Sequence, residues 1–209
     1  MVIIGLTGNI GVGKSTVVAW LASRGVFALD ADKLAHRVME PGMPAHAQIV
    51  DSFGPAVLAE DGTIDRATLG AIVFRDPELL KLLESIVHPE VSILTGRLLR
   101  ESGAEVAVVE AIKLLESKRL IEICTEIWVV TADEEAQLQR LMQARAMDAA
   151  EARRRLAAQS SQEEKSRHAT RVICNDGTRE HLYATLETIW ADFCLLHGIT
   201  MHMSSPVQE

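Results

Sequence analysis

Short apolar runs alternate with stretches of helical period along most of the chain. Five runs read as strands: Val2 to Leu6, Val26 to Leu29, Glu105 to Val109, Ile127 to Thr131 and Arg171 to Cys174. Each is rich in β-branched residues and apolar on both faces, as strands buried in a parallel sheet are. Between them the pattern predicts helices over Lys14 to Ser23, Asp32 to Met39, Pro77 to Val87, Pro89 to Ser102, Ala132 to Ala146, Ala149 to Ala158 and Arg179 to Leu196. Thr131 with Glu134, and Asp148 with Glu151, have capping-box spacing and mark two of the starts. Strands alternating with helices predict an α/β fold, a doubly wound parallel five-stranded sheet with helices on both faces.

Two stretches fall outside that alternation. Residues 40–103 are too long for a simple crossover and are expected to form a helical insertion. Residues 140–170 are dense in charge, including "ARRRLAAQSSQEEKSRHATR", and read either as the solvated face of a helical pair or as a small lid. The remaining segments, 1–39, 104–139 and 171–197, form the expected core, and 198–209 reads as a flexible tail.

Composition narrows the class without naming it. At 209 residues, with 48% hydrophobic and 24% charged residues, the chain has globular averages and about one or two domains. No window approaches the roughly 18 apolar residues of a membrane span, and no leader pattern opens the sequence, so a cytoplasmic protein away from membranes is expected. The three cysteines, Cys124, Cys174 and Cys194, have no metal or redox spacing and read as reduced thiols. A net charge of -8 argues against a nucleic-acid partner. Nothing in the pattern speaks to oligomeric state.

"GNIGVGKST", residues 8–16, changes the picture. It has the spacing GxxxxGK(S/T), with Gly8, Gly13, Lys14 and Ser15 at the fixed places, between a predicted strand and a predicted helix. Glycine backbone there lets N–H groups converge on phosphates, and the helix N-terminus adds positive potential. The expected nucleotide site comprises Gly8, Gly11, Val12, Gly13, Lys14, Ser15 and Thr16, with Lys14 on the β and γ oxygens and Ser15 on Mg²⁺. The sheet is thus expected to be of the P-loop NTPase type.

A guanine-reading Asn-Lys-x-Asp string is absent, which argues against a GTPase switch. "VAVVEA" ends in Glu110 where a mechanical or transport ATPase would be expected to carry Asp, so that reading, or a nucleotide-dependent interaction module, stays open in weakened form. A small-molecule kinase needs an acceptor-orienting carboxylate and mobile cations. "LDAD" supplies Asp30 and Asp32 at the C-terminal end of the second strand, where one would cap the next helix and the other face the cleft, unless both are caps. "QLQRLMQAR" supplies Arg140 and Arg145, and arginines on a closing lid suit phosphoryl transfer and the exclusion of water.

"IGLTGNIGVGKSTV", "ALDADKLAHRV", "DGTIDRATLGAIVF", "LLESIVHPEV", "QLQRLMQAR" and "VICNDG", in this order, resemble the dephospho-CoA kinases from about Ile3 to Trp190. The resemblance implies transfer of the ATP γ-phosphoryl to the ribose 3′-hydroxyl of dephospho-CoA, giving CoA and ADP, on a P-loop core with a helical acceptor domain and a lid. It further implies that Asp32 orients and deprotonates the acceptor hydroxyl, that Lys14 holds the phosphates, that Arg140 stabilises the transferring group, and that Asn175 to Gly177 lie near adenine.

Acceptor contacts are less settled. His88, before Pro89, reads either as a packing and capping residue at a helix junction or as a substrate contact. Arg66 reads as a partner for the acceptor's diphosphate or as a surface arginine opening a helix. Many relatives carry Pro-Leu-Leu after the third strand where this chain has Ile112, Lys113 and Leu114. Lys113 would meet an anionic acceptor or sit on a solvated face. The expectation is a Mg²⁺- and ATP-dependent dephospho-CoA kinase, with a kinase for a nucleoside or shikimate as the nearest alternative.

Overall fold

The structure, a computed structural model, describes residues 1–145 and 147–200, without the side chains of 144 and 145. It divides into two units, residues 1–29 with 104–209 and residues 30–103. Most of the tail expected at 198–209 lies outside the described residues.

All five expected strands form: β1 (Val2–Thr7), β2 (Phe27–Asp30), β3 (Val106–Glu110), β4 (Glu126–Thr131) and β5 (Arg171–Cys174). They make one sheet in the order β2-β3-β1-β4-β5. The β1–β3, β1–β4 and β4–β5 pairs are parallel, with Gly5 opposite Val109 on one side and Ile127 on the other. Parallel strands covered on both faces need apolar side chains on both, and Ile4, Leu6, Val108, Trp128, Val130 and Ile173 are buried accordingly. Against them pack Val17 and Leu21 of α1 (Lys14–Ala22) and Leu182, Leu186 and Phe193 of α10 (Arg179–His197). The Phe193 ring meets Trp128 edge-on at 5.4 Å and stacks on Trp190 at 5.3 Å. Such aromatic pairs add about 0.5–1.5 kcal/mol each beyond the area they bury. Among the described residues no helix is long and apolar enough to cross a membrane.

The unit of residues 30–103 is helical: α2 (Ala31–Arg37), α3 (Pro44–Phe53), α4 (Arg66–Val73) and α5 (Pro77–Ser102), with α2, α3 and α4 each packing on α5. The two helices expected on either side of His88 are one 26-residue helix that runs through Pro89. Its buried positions, Ile86, Val87, Val91, Leu94, Thr95 and Leu99, recur at helical spacing across the proline. Burial of that stripe outweighs the hydrogen bond Pro89 cannot make.

In the other unit, β3 leads through a 3₁₀ turn at Leu114–Glu116 into α6 (Lys118–Ile123), and β4 into α7 (Glu134–Arg145), α8 (Ala149–Ala157) and α9 (Gln162–Ser166). The capping box read at Thr131 is not used, because Thr131 is the last residue of β4 and pairs with Cys174. The first α7 bond instead runs from Gln137 N to Asp133 O. At α8 the cap forms: Asp148 Oδ1 accepts from Glu151 N at 2.8 Å. The Glu151 carboxylate turns away to Arg155, at 2.7 Å.

Candidate active site

Gly8 follows the last residue of β1, and residues 8–13 form the loop that opens α1. Gly13 stands at φ 95, ψ 24 as the N-cap, and no side chain caps this helix. An uncapped helix start with left-handed glycine before it offers amide groups and a positive dipole end to an anion. Lys14, although charged, is 7% exposed. Its ammonium donates to Gly8 O at 3.0 Å and Asn9 O at 3.4 Å and lies 3.8 Å from Glu110 Oε1. The loop carbonyls and the carboxylate ending β3 thus hold the cation at the C-terminal edge of the sheet. Ser15 is exposed beside it and Thr16 half-buried. A single exposed hydroxyl is a hard oxygen donor, which suits Mg²⁺, an ion that takes most of its ligands from substrate phosphates and water.

Arg140 and Asn175 are both bonded to the loop. The Arg140 guanidinium donates to Gly11 O and Val12 O, each at 3.4 Å, and to Asn175 O at 2.8 Å. The buried Asn175 amide donates to Val12 O at 2.8 Å. A fork of fixed donors therefore ties the loop to the turn after β5. Asp176 Oδ1 accepts from Asp133 N at 2.6 Å, binding the same turn to the start of α7. Gly177 is exposed, and the His181 side chain packs against it. The Arg145 side chain is outside the described part of α7.

Further residues, missed in the sequence, close on the same loop. Asn9 Nδ2 donates to Ser160 O at 3.1 Å, and Ile10 N donates to Gln159 Oε1 at 2.8 Å. Ile10, Leu141 and Ala152 form a small buried cluster, joined by Leu138, Met147 and Leu156. Gln162 grips both the N–H and C=O of Ala132. Lys165 is buried and donates to Ile112 O at 3.3 Å. Arg153, Arg154 and Arg155 are exposed, so the charged stretch is a solvated face in part. Helical spacing was the available signal: Gln162, Lys165, Ser166 and Ala169 are the covered positions, spaced i, i+3, i+4 and i+7.

Asp30 is the cap of α2, accepting from Lys33 N at 2.9 Å and pairing with Lys33 Nζ at 3.1 Å. Asp32 sits exposed in the first turn of the same helix. Arg66 is exposed at the first position of α4, behind its cap Asp65. His88 is exposed in the middle of α5 and occupies neither a junction nor a cap. Its carbonyl accepts from Ser92 Oγ at 2.9 Å. Lys113 is exposed before the Leu114–Glu116 turn and pairs with Glu116 at 3.1 Å. Asp32, Arg66 and His88 belong to the unit of residues 30–103, and Lys113 to the unit that carries the loop.

The thiols are chemically quiet. Burial pushes Cys124 up to about 12. Cys174 is raised by its hydrogen bond to the Asp176 carboxylate, and Cys194 by burial. All three stay protonated near neutrality, which matches the reading of them as plain reduced cysteines.

The family model of dephospho-CoA kinase matches residues 2–181. A dephospho-CoA kinase from Geobacter sulfurreducens is 45% identical over 194 residues, covering 91% of this chain and 98% of that protein. A solved structure from Thermus thermophilus superposes with a TM-score of 0.80 at 37% identity, covering 91% of this chain and 97% of the other. The Campylobacter jejuni dephospho-CoA kinase structure does so at 0.67 and 27% identity, over 91% and 96%. A loop built to hold phosphates, on a parallel sheet shared with these structures and within a chain aligned over nearly its whole length, places this protein in the dephospho-CoA kinase family.

Proposed function

We propose that this protein is an ATP-dependent dephospho-CoA kinase that transfers the γ-phosphoryl group to the ribose 3′-hydroxyl and yields CoA and ADP, the last step of coenzyme A biosynthesis. The observation that carries the chemistry is the buried Lys14 ammonium, held by loop carbonyls and Glu110 at an uncapped helix start. The acceptor comes from the family.

The ribose 3′-oxygen forms a bond to the γ-phosphorus as the bond to the β–γ bridging oxygen breaks, leaving ADP. Asp32 orients the hydroxyl and takes its proton. Gly8, Gly11, Val12, Gly13, Ser15 and Thr16 cradle the phosphates with backbone amides, and Lys14 neutralises the β and γ oxygens. Arg140, now bridging the loop to Asn175, stabilises charge on the transferring group. Asn175 and Gly177 border the adenine. Arg66, His88 and Lys113 contact the acceptor's anionic groups. Ser15 would hold Mg²⁺, which would supply further charge neutralisation on the phosphates. Residues 140–170 act as a lid that keeps water from the phosphoryl group, and residues 40–103 bind the acceptor. The reaction takes place in the cytoplasm.

The test is ADP release from ATP and Mg²⁺ with dephospho-CoA, shikimate, a nucleoside panel or no acceptor. Release that depends on dephospho-CoA, with CoA as product, supports the assignment. Release with no acceptor would favour an ATPase in which Glu110 positions water, and release with another acceptor only would overturn the substrate.

A further inference from the structure

Lys165 lies in a run of charged residues on α9, yet it is only 6% exposed. A buried ammonium costs several kcal/mol unless an anion or a full set of acceptors meets it. The hydrogen bond it makes is to a neutral carbonyl, Ile112 O at 3.3 Å. That carbonyl also accepts from Thr7 Oγ1 at 3.1 Å. Thr7 ends β1 immediately before Gly8, and Ile112 comes just after Glu110, whose carboxylate is 3.8 Å from Lys14 Nζ. The Lys165 head group is therefore docked on the ends of β1 and β3, against the side of the loop where Lys14 lies. Burial pulls it below the ordinary lysine range, and the Lys14 charge pulls the same way, while Glu116 and Glu164 pull upward.

Two cations thus converge, Lys14 from α1 and Lys165 from α9. Their mutual repulsion is relieved by an anion that touches both, and a phosphate oxygen is a far stronger partner for an ammonium than a neutral carbonyl. The helices carrying Lys165 are held to the same loop through Asn9 with Ser160 and Ile10 with Gln159.

We propose that Lys165 is a second phosphate-binding cation, carried by α9 onto the γ-phosphoryl group of ATP opposite Lys14. On this proposal the γ-phosphate is the part of ATP it meets, since the loop motif sets Lys14 on the β and γ oxygens and Lys165 is bonded at Ile112 O, just after β3. Charge spreads over the equatorial oxygens as the phosphoryl group leaves, so a cation placed there stabilises the transition state as well as the bound nucleotide. This role rests on the assignment of the loop to ATP.

Two variants separate charge from mere tethering. Lys165→Gln keeps a donor for Ile112 O but removes the charge, and Lys165→Arg keeps the charge. Turnover with dephospho-CoA is measured beside titrations of ADP and of a non-hydrolysable ATP analogue. Lys165→Gln is expected to lower kcat by about 10- to 100-fold, the scale of one charge-assisted hydrogen bond, and to weaken the analogue by about tenfold while ADP stays within about twofold. Lys165→Arg recovers most of both. Wild-type kcat in Lys165→Gln, or equal losses for ADP and the analogue, overturns the proposal, as does a lowered unfolding midpoint with unchanged kinetics. A wild-type protein that binds neither nucleotide sinks the ATP assignment itself, a different failure.

Discussion

Adding one methyl group at Gly13 would incur two costs that add. The residue stands at φ 95, and a Cβ would run into the Asn175 amide, which is itself bonded to Val12 O at 2.8 Å. An L side chain in the left-handed region costs about 1–2 kcal/mol, and either the loop or Asn175 must shift as well. Gly13→Ala is expected to weaken ATP by about 5- to 30-fold in a nucleotide titration, as the loop relieves that strain by leaving the shape that binds phosphate. Unchanged affinity would mean that the Asn175 contact does not shape the loop. Asp32 is tested by its isostere. Asp32→Asn keeps the size and removes the base, so turnover should fall by about 10²-fold or more while ATP titrates normally. Near-normal turnover would leave Asp32 a first-turn helix residue only. Both positions were legible in the sequence, Gly13 by motif spacing and Asp32 by its place after a strand. Lys165 was hidden, because a lysine among charged neighbours reads as solvated until helical spacing turns it inward.

At the scale of elements, strands were easier to read than helices. Buried parallel strands have a short uninterrupted apolar run as their signature, and β5, at Arg171–Cys174, has the expected bounds. Short helices such as α3 and α9 lack the length for a clear period and depend on what they pack against. α5 was split in the reading because a residue before proline avoids the helical region, a local rule that the buried stripe overrides. Ser85, whose carbonyl loses its donor at Pro89, is exposed, so the break falls on the solvent side of the helix. Pro89→Ala restores that bond and removes the ring clash, partly offset by the greater freedom of the unfolded chain. A net gain of about 1–2 kcal/mol is expected, a rise of roughly 2–8 °C in the thermal midpoint. A lower midpoint would show that the helix needs its proline to meet α2, α3 and α4.

Across the whole sheet, the phosphate loop lies at the C-terminal end of the strands and a second polar cluster at the N-terminal end. Glu126, first residue of β4, is 3% exposed and accepts from Arg171 Nε at 2.7 Å, Trp128 Nε1 at 2.7 Å and His197 Nε2 at 2.9 Å. Arg171 also reaches Asp192 at 2.6 Å, so β4, β5 and α10 are tied at one point. Burial alone would raise the Glu126 carboxyl, but the Arg171, Trp128 and His197 hydrogen bonds and the Arg171 charge outweigh it and hold the group below the ordinary carboxylate range. A folded value below the unfolded one means that the stabilisation is fully present above the unfolded pKa of about 4.5 and is lost as pH falls through the folded value. Removing the charge sets a neutral amide at the buried end of the pair and leaves the half-buried Arg171 with Asp192 alone, and breaking a pair of which one member is buried costs up to about 3 kcal/mol. Glu126→Gln should therefore lower the denaturant midpoint at pH 7, and its stability should fall less steeply than that of the wild type between about pH 5 and pH 3. Because the cluster is at the far end of the strands from Lys14, the folded variant should keep the wild-type KM for ATP. Parallel acid curves for the two proteins would show that Glu126 is not a source of the acid sensitivity, and a changed KM would show that strain at this end reaches the phosphate loop.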